Sequence, residues 1–137
     1  MGGKLKRRIS RTKRERTQYL EGMWREQVKA NCDYKCVVCG MALRGPKTPN
    51  APVGDCHHIA ARKSNALHYD VKNGVYLCKG HHRFWVHSPD TIRAHWTTEK
   101  VREYIGEAQW LYLVQLRADT RKRSLAEIEA ELMKNSA

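Results

Sequence analysis

The chain has 137 residues and a mass of 15.9 kDa, enough for one compact domain or a small core with helical appendages. Twenty-six Lys and Arg against fourteen Asp and Glu leave a net charge of +12, which implies a polyanionic partner, most often nucleic acid. No run of 18 apolar residues is present, so a membrane span is not expected, and the basic N-terminus lacks the apolar segment of a secretory signal.

The charge is concentrated at the start. Residues 1–16 hold Lys4, Lys6, Arg7, Arg8, Arg11, Lys13, Arg14 and Arg16 against Glu15 alone. With few apolar groups, this stretch cannot fold by itself and reads as a basic flexible arm, disordered or ordered on nucleic acid. An N-terminal helical segment over 17–35 follows. Leu20, Met23, Trp24 and Val28 recur at three and four residues, and Asn31-Cys32-Asp33 ends the pattern. Cys36-Val37-Val38-Cys39-Gly40 reads as a tight turn, and the Pro/Gly-rich 44–54 as a loop. Short strands are expected within 55–61 and at Gly74–Cys78, with a short helix over 80–87. Ser88 and Pro89 read as N-cap and first residue of the next helix. Thr97 or Thr98 caps a longer one reaching about Arg117. Its run Trp110-Leu111-Tyr112-Leu113-Val114 is apolar nearly all round, which favours packing on the core over a dimer contact. Ser124 and Glu127 form a capping-box pattern for a last helix, 125–134. The C-terminal unit is thus 97–137, and the fold class is α+β.

The chemistry-bearing residues lie between these ends. All five Cys fall between Cys32 and Cys78, and all seven His between His57 and His95. Cys36-x2-Cys39 and Cys78-x2-His81 are two ligand pairs, together the four ligands of a tetrahedral structural Zn²⁺. Such a site staples 36–39 to 78–81 and stabilises a small core. Cysteines used this way point to metal rather than a disulfide framework, and to a reducing, intracellular setting. Cys32 and Cys56 are spare and read as small buried hydrophobes.

Fourteen residues separate His58 from Asn73, and eight separate Asn73 from His82. The segment Asp55-Cys56-His57-His58-Ile59…Asn73-Gly74-Val75-Tyr76-Leu77-Cys78-Lys79-Gly80-His81-His82 resembles the HNH endonucleases, closest to small phage-type members with a zinc knuckle beside the active site. The resemblance covers about 36–96. It implies a ββα-metal (His-Me finger) core with a structural zinc knuckle, flanked by α-helices. It also implies metal-dependent hydrolysis of DNA phosphodiester bonds, by nicking or double-strand cutting, in the cytoplasm or nucleoid of a bacterial host.

Adjacent strand residues face opposite sides, so His57 and His58 cannot share one task. By resemblance, His57 and His82 hold one divalent cation such as Mg²⁺, Mn²⁺ or Ni²⁺, and His58 is the general base. Asn73 either holds the loop between the strands or fixes the tautomer of His58; in some branches it ligates the metal. His87 lies five residues after His82, where a third ligand would lie four. On a regular helix those two rings diverge by about 140°. His87 is therefore a ligand, a phosphate contact or a helix-end histidine. Asp55 is a supporting partner of the site or a polar residue at the strand entrance. Arg62, Lys63 and Arg83 flank the site and suit phosphate contacts, as Lys4, Lys6, Arg7, Arg8 and Arg11 do along the arm. His68 and His95 match nothing in the pattern. Phe84 and Trp85 read as core, with base stacking as the alternative. The expected partner is double-stranded DNA, with larger phage or mobile-element machinery behind it and no membrane, for a monomer or weak dimer. Two other readings remain: a non-catalytic zinc-stapled DNA-binding module, and an RNase or accessory nucleic-acid-binding protein.

Overall fold

A computed structural model describes residues 12–61, 64–119 and 122–135. The arm residues Lys4, Lys6, Arg7, Arg8 and Arg11, and the flanking Arg62 and Lys63, lie outside the described residues. The first helix, α1, spans Lys13–Asn31; the side chain of Thr12 caps it by accepting from the Glu15 backbone N–H at 3.1 Å. Residues 13–16, assigned above to the flexible arm, are therefore helical. Leu20, Trp24 and Val28, four residues apart, form its buried stripe. Asp33 and Tyr34 then adopt left-handed backbone (φ of 53° and 54°) and turn the chain into the cysteine-bearing loop.

Two strands, β1 (Asp55–His58) and β2 (Gly74–Leu77), form an antiparallel hairpin that pairs His57 with Val75 and His58 with Gly74. Between them lie α2 (Asn65–Tyr69) and one 3₁₀ turn, Val71–Asn73. All four residues of β2 are buried. It sits in the main core with Cys32, Cys36, Leu43 and Val101, while α1 packs against the hairpin from the other side. A π-helical segment, His81–Val86, takes the place of the expected short α-helix.

Three helices complete the fold: α3 (Thr91–Ile105), α4 (Glu107–Ala118) and α5 (Leu125–Asn135). The long helix expected from Thr97 or Thr98 to Arg117 is broken at Gly106, whose φ of 85° ends α3. Asp90, rather than Ser88, caps α3 by accepting from the Ile92 N–H at 3.0 Å. Of the apolar run in α4 only Leu113 is fully buried, and Leu111 and Val114 are exposed. The capping box before α5 forms as read, with Ser124 accepting from the Glu127 N–H. Helix α5 lies on α1 through Leu20, Ile128 and Leu132, with Tyr69 between, and Gln27 donates to the Leu132 carbonyl at 2.7 Å. Among the described residues no helix is long and apolar enough to cross a membrane.

Gly74 sets how closely α1 approaches the hairpin. A Cβ there would lie 2.5 Å from Val28 Cγ2 and 2.6 Å from Trp24 Cζ2. Gly74→Ala must push α1 off β2, and we expect a loss of about 1–3 kcal/mol. Urea denaturation checks this; an unchanged midpoint would mean that the contact is slack.

Candidate functional site

The cysteine loop and the hairpin end build one cluster. Cys36–Cys39 is a turn closed by the Gly40 N–H, which donates to the Cys36 carbonyl at 2.8 Å, with Gly40 at a φ of 74° that disfavours a side chain. The Val37 N–H donates to the Tyr76 carbonyl at 3.1 Å and hangs this turn on β2. Cys36, Cys39, Cys78 and His81 then bring their ligand atoms within 4.8 Å of one another. Cys39 and Cys78 Sγ are 4.0 Å apart, and Cys78 Sγ and His81 Nδ1 3.2 Å. A tetrahedral Zn²⁺ with Zn–S near ~2.3 Å and Zn–N near ~2.0 Å needs separations of about 3.5–3.8 Å. The cluster therefore fits a metal such as zinc. Burial and the neighbouring thiols push the Cys39 thiol up to about 11. A divalent cation offsets that resistance, because a coordinating thiol gives up its proton.

A second cluster lies on the other side of the π segment. His57, His82 and His87 place ligand nitrogens within 4.8 Å of one another. The helical distortion resolves the spacing problem of His87. In a π turn residues i and i+5 are bonded, and here the His87 N–H donates to the His82 carbonyl at 3.3 Å. The two Nε2 atoms consequently sit 3.2 Å apart. Two nitrogens bound to one ion at ~2.1 Å lie about 3.0–3.4 Å apart for right-angle to tetrahedral geometry, so this set also fits a cation. Asp55 stands behind it: His82 Nδ1–H donates to Asp55 Oδ2 at 3.0 Å, which leaves Nε2 as the ligating atom. Lys79 holds the other Asp55 oxygen at 3.0 Å, and Arg83 lies 4.0 Å from Oδ2. Burial works against the Asp55 charge, but the bonds to Lys79 and His82 outweigh it and keep its carboxyl below the ordinary range. Burial, with His82, His87 and His58 nearby, lowers His57 to about 3, so its ring is neutral at pH 7 and available as a ligand.

His58 faces the other way, as strand alternation requires. Its ring stacks on Trp24 with centroids 4.1 Å apart and planes 5° from parallel. Gly74, opposite it in the hairpin, is the gap into which Trp24 fits. His58 Nε2 is 2.9 Å from the His68 carbonyl. A carbonyl only accepts, so Nε2 carries the proton and a neutral ring has its lone pair on Nδ1. The tautomer is thus set by His68, a residue that the spacing pattern does not single out, and not by Asn73. Asn73 is fully buried and holds the inter-strand loop. It accepts from the Ala60 N–H at 2.7 Å and donates to the Ala60 and Leu67 carbonyls at 3.1 and 2.8 Å. By fixing Leu67 it positions the next carbonyl, that of His68.

Both histidine faces border one open cavity of about 480 Å³, with His57, His82 and His87 on one wall. The opposite wall is α1, through Glu21, Trp24 and Arg25, with His58 stacked on Trp24. Arg25 and Glu21 form an ion pair at 2.6 Å, and Cys56 Sγ lies 3.6 Å from the Arg25 carbonyl. These α1 residues escape the sequence reading, since nothing in an amphipathic helix marks which polar residue borders a site. Of the spare cysteines, Cys32 is buried, and burial pushes the Cys56 thiol up to about 12. His95 is exposed, and Phe84, read as core, is 66% exposed. Comparison with protein-family models, curated proteins and solved structures finds no match.

Two outcomes follow from this geometry. Purified protein should carry one zinc per chain at the cysteine cluster, and Cys36→Ser should lose it and lower the melting midpoint by on the order of 10 °C or more. Elemental analysis with thermal denaturation checks this, and metal-free protein of equal stability would contradict it. Asp55→Asn should weaken cation binding at the histidine set by about 10–100-fold, read by Ni²⁺ titration of zinc-loaded protein. An equal affinity would show that Asp55 does not orient His82.

Proposed function

We propose that the chain is a metal-dependent nuclease of the HNH type, with a ββα-metal core formed by β1, β2 and the π segment, hydrolysing phosphodiester bonds of DNA. The observation that carries this reading is the split of two adjacent histidines. His57 joins a cation-binding set, while His58 is held by a carbonyl and an indole beside the same cavity. A structural zinc alone requires no such arrangement, which weighs against a purely DNA-binding module.

Hydrolysis needs an attacking water, neutralisation of charge on the phosphoryl oxygens and help for the leaving oxygen. His57, His82 and His87 would hold a divalent cation, which would supply Lewis-acid stabilisation of the charge that develops at the phosphate. His58 takes the proton from water on Nδ1. The resulting imidazolium is stabilised by the bond from Nε2–H to the His68 carbonyl, which strengthens as the ring becomes charged. Stacking on Trp24 keeps the ring plane fixed, so little reorientation accompanies the proton transfer. Arg25, on the facing wall, presents a guanidinium that matches a phosphate fork, and a bound phosphodiester would compete with Glu21 for it. Asn73 acts at one remove, through the loop it clamps.

The test is supercoiled plasmid with Mn²⁺ or Ni²⁺. The parent chain should nick or linearise it, and His58→Ala should lower the rate by at least about a hundredfold while still retarding DNA in a gel. Equal cleavage by the His58→Ala chain would remove the assignment of the base. A parent chain inert with every divalent cation would remove the nuclease reading.

A further inference from the structure

A second cavity, of about 460 Å³, opens further along α1, toward its N-terminus. Its walls include Lys13 and Thr17 of α1, Ser64 before α2, His68, and Arg123 and Ser124 before α5. Among the described residues no carboxylate lines it. Lys13, Arg123 and the Ser64 hydroxyl give this hollow the side-chain chemistry of a phosphate contact, while the Thr17 and Ser124 hydroxyls donate to the Arg14 carbonyl and to Glu127. Glu131 pairs with Arg123 Nη2 from outside the lining, and a guanidinium carries further N–H donors besides that one.

The two cavities share a wall. Lys13 and Thr17 border the second, Glu21, Trp24 and Arg25 the first, and these five positions fall on one face of α1 by helical spacing. The divide is His68, whose carbonyl holds His58 and whose ring lies 5.3 Å from it. From Arg25 to Lys13 the helix advances about 18 Å, a span that one nucleic-acid strand covers in a few nucleotides.

We propose that this second cavity is a phosphate-binding subsite for the strand held at the histidine site, a few nucleotides from the scissile bond, with Lys13 and Arg123 as its charged contacts. The proposal rests on the nuclease reading for what lies at the other end of the track. It assigns to the C-terminal segment, through Arg123, a place in substrate binding. The ligand is a phosphodiester of a continuous strand; an isolated phosphate would engage only one end.

The test is duplex binding by the full, zinc-loaded chain in the His58→Ala background, so that the readout does not depend on cleavage. Lys13→Gln with Arg123→Gln should reduce the slope of log affinity against log salt by about two units. The variant's deficit relative to its parent should therefore shrink about tenfold between 50 and 200 mM salt. Lys134→Gln, at the far end of α5, is the control for loss of a distant charge. Parent affinity should also step up once the flank beside a central phosphate is long enough to reach the second cavity, and the double variant should lack that step. A slope and flank dependence equal to the parent's overturn the proposal, as does competition by inorganic phosphate as effective as that by duplex. If Arg123→Gln loosens α5, seen as a lower melting midpoint, Lys13→Gln alone decides, with an expected slope change of about one. Plasmid nicking by the unsubstituted chain is read separately, so failure of the nuclease reading and failure of the subsite are distinguishable.

Discussion

The structure depends on the convergence of Cys36, Cys39, Cys78 and His81 within reach of one ion. These residues join a loop that has little core of its own to the end of β2 and the start of the π segment. Everything at the histidine site hangs from that junction. His81 belongs to the cysteine cluster and the next residue, His82, to the histidine set, so anchoring one positions the other. The π turn then carries His87 round to His82, which an α-turn would not do. The distortion brings His82 and His87 together within reach of His57 on β1.

The opposite wall is made by packing rather than by ligands. Trp24 enters the space left by Gly74, stacks on His58 and donates its indole N–H to the Asp70 carbonyl at 2.8 Å. Asn73 and the His68 carbonyl complete the support. One buried side chain thus orders the inter-strand loop, and that loop presents the acceptor that sets the His58 tautomer. Helix α5 adds to this from behind by holding α1 through Ile128 and Leu132. The helices outside the hairpin therefore shape the cavity, and the proposed chemistry draws on residues from Glu21 to His87.

Much of this was legible from residue types and spacing. The two x2 pairs name the four members of the cysteine cluster because side chains with two residues between them in a tight turn aim at one point. Strand alternation separates His57 from His58 without coordinates. The Ser124–Glu127 cap marks the start of α5, since that bond is local. The readings that required correction concern non-local outcomes. Gly106 breaks the long C-terminal helix, the π turn rescues His87, and Phe84 faces outward. Periodicity assumes regular helices; Gly106 departs from it by residue type, whereas the π turn and the exposure of Phe84 do not show in residue type.

The sequence by itself determined the ligand inventory, the alternation that divides adjacent histidines and the local caps, because each depends on a few neighbouring bonds. Only the tertiary structure decided which residues face the histidines across the cavity. Trp24, Arg25 and the His68 carbonyl acquire their places from the approach of α1 and the closing of the inter-strand loop. That approach is governed by the packed volume at Gly74, a contact between segments some fifty residues apart in the chain.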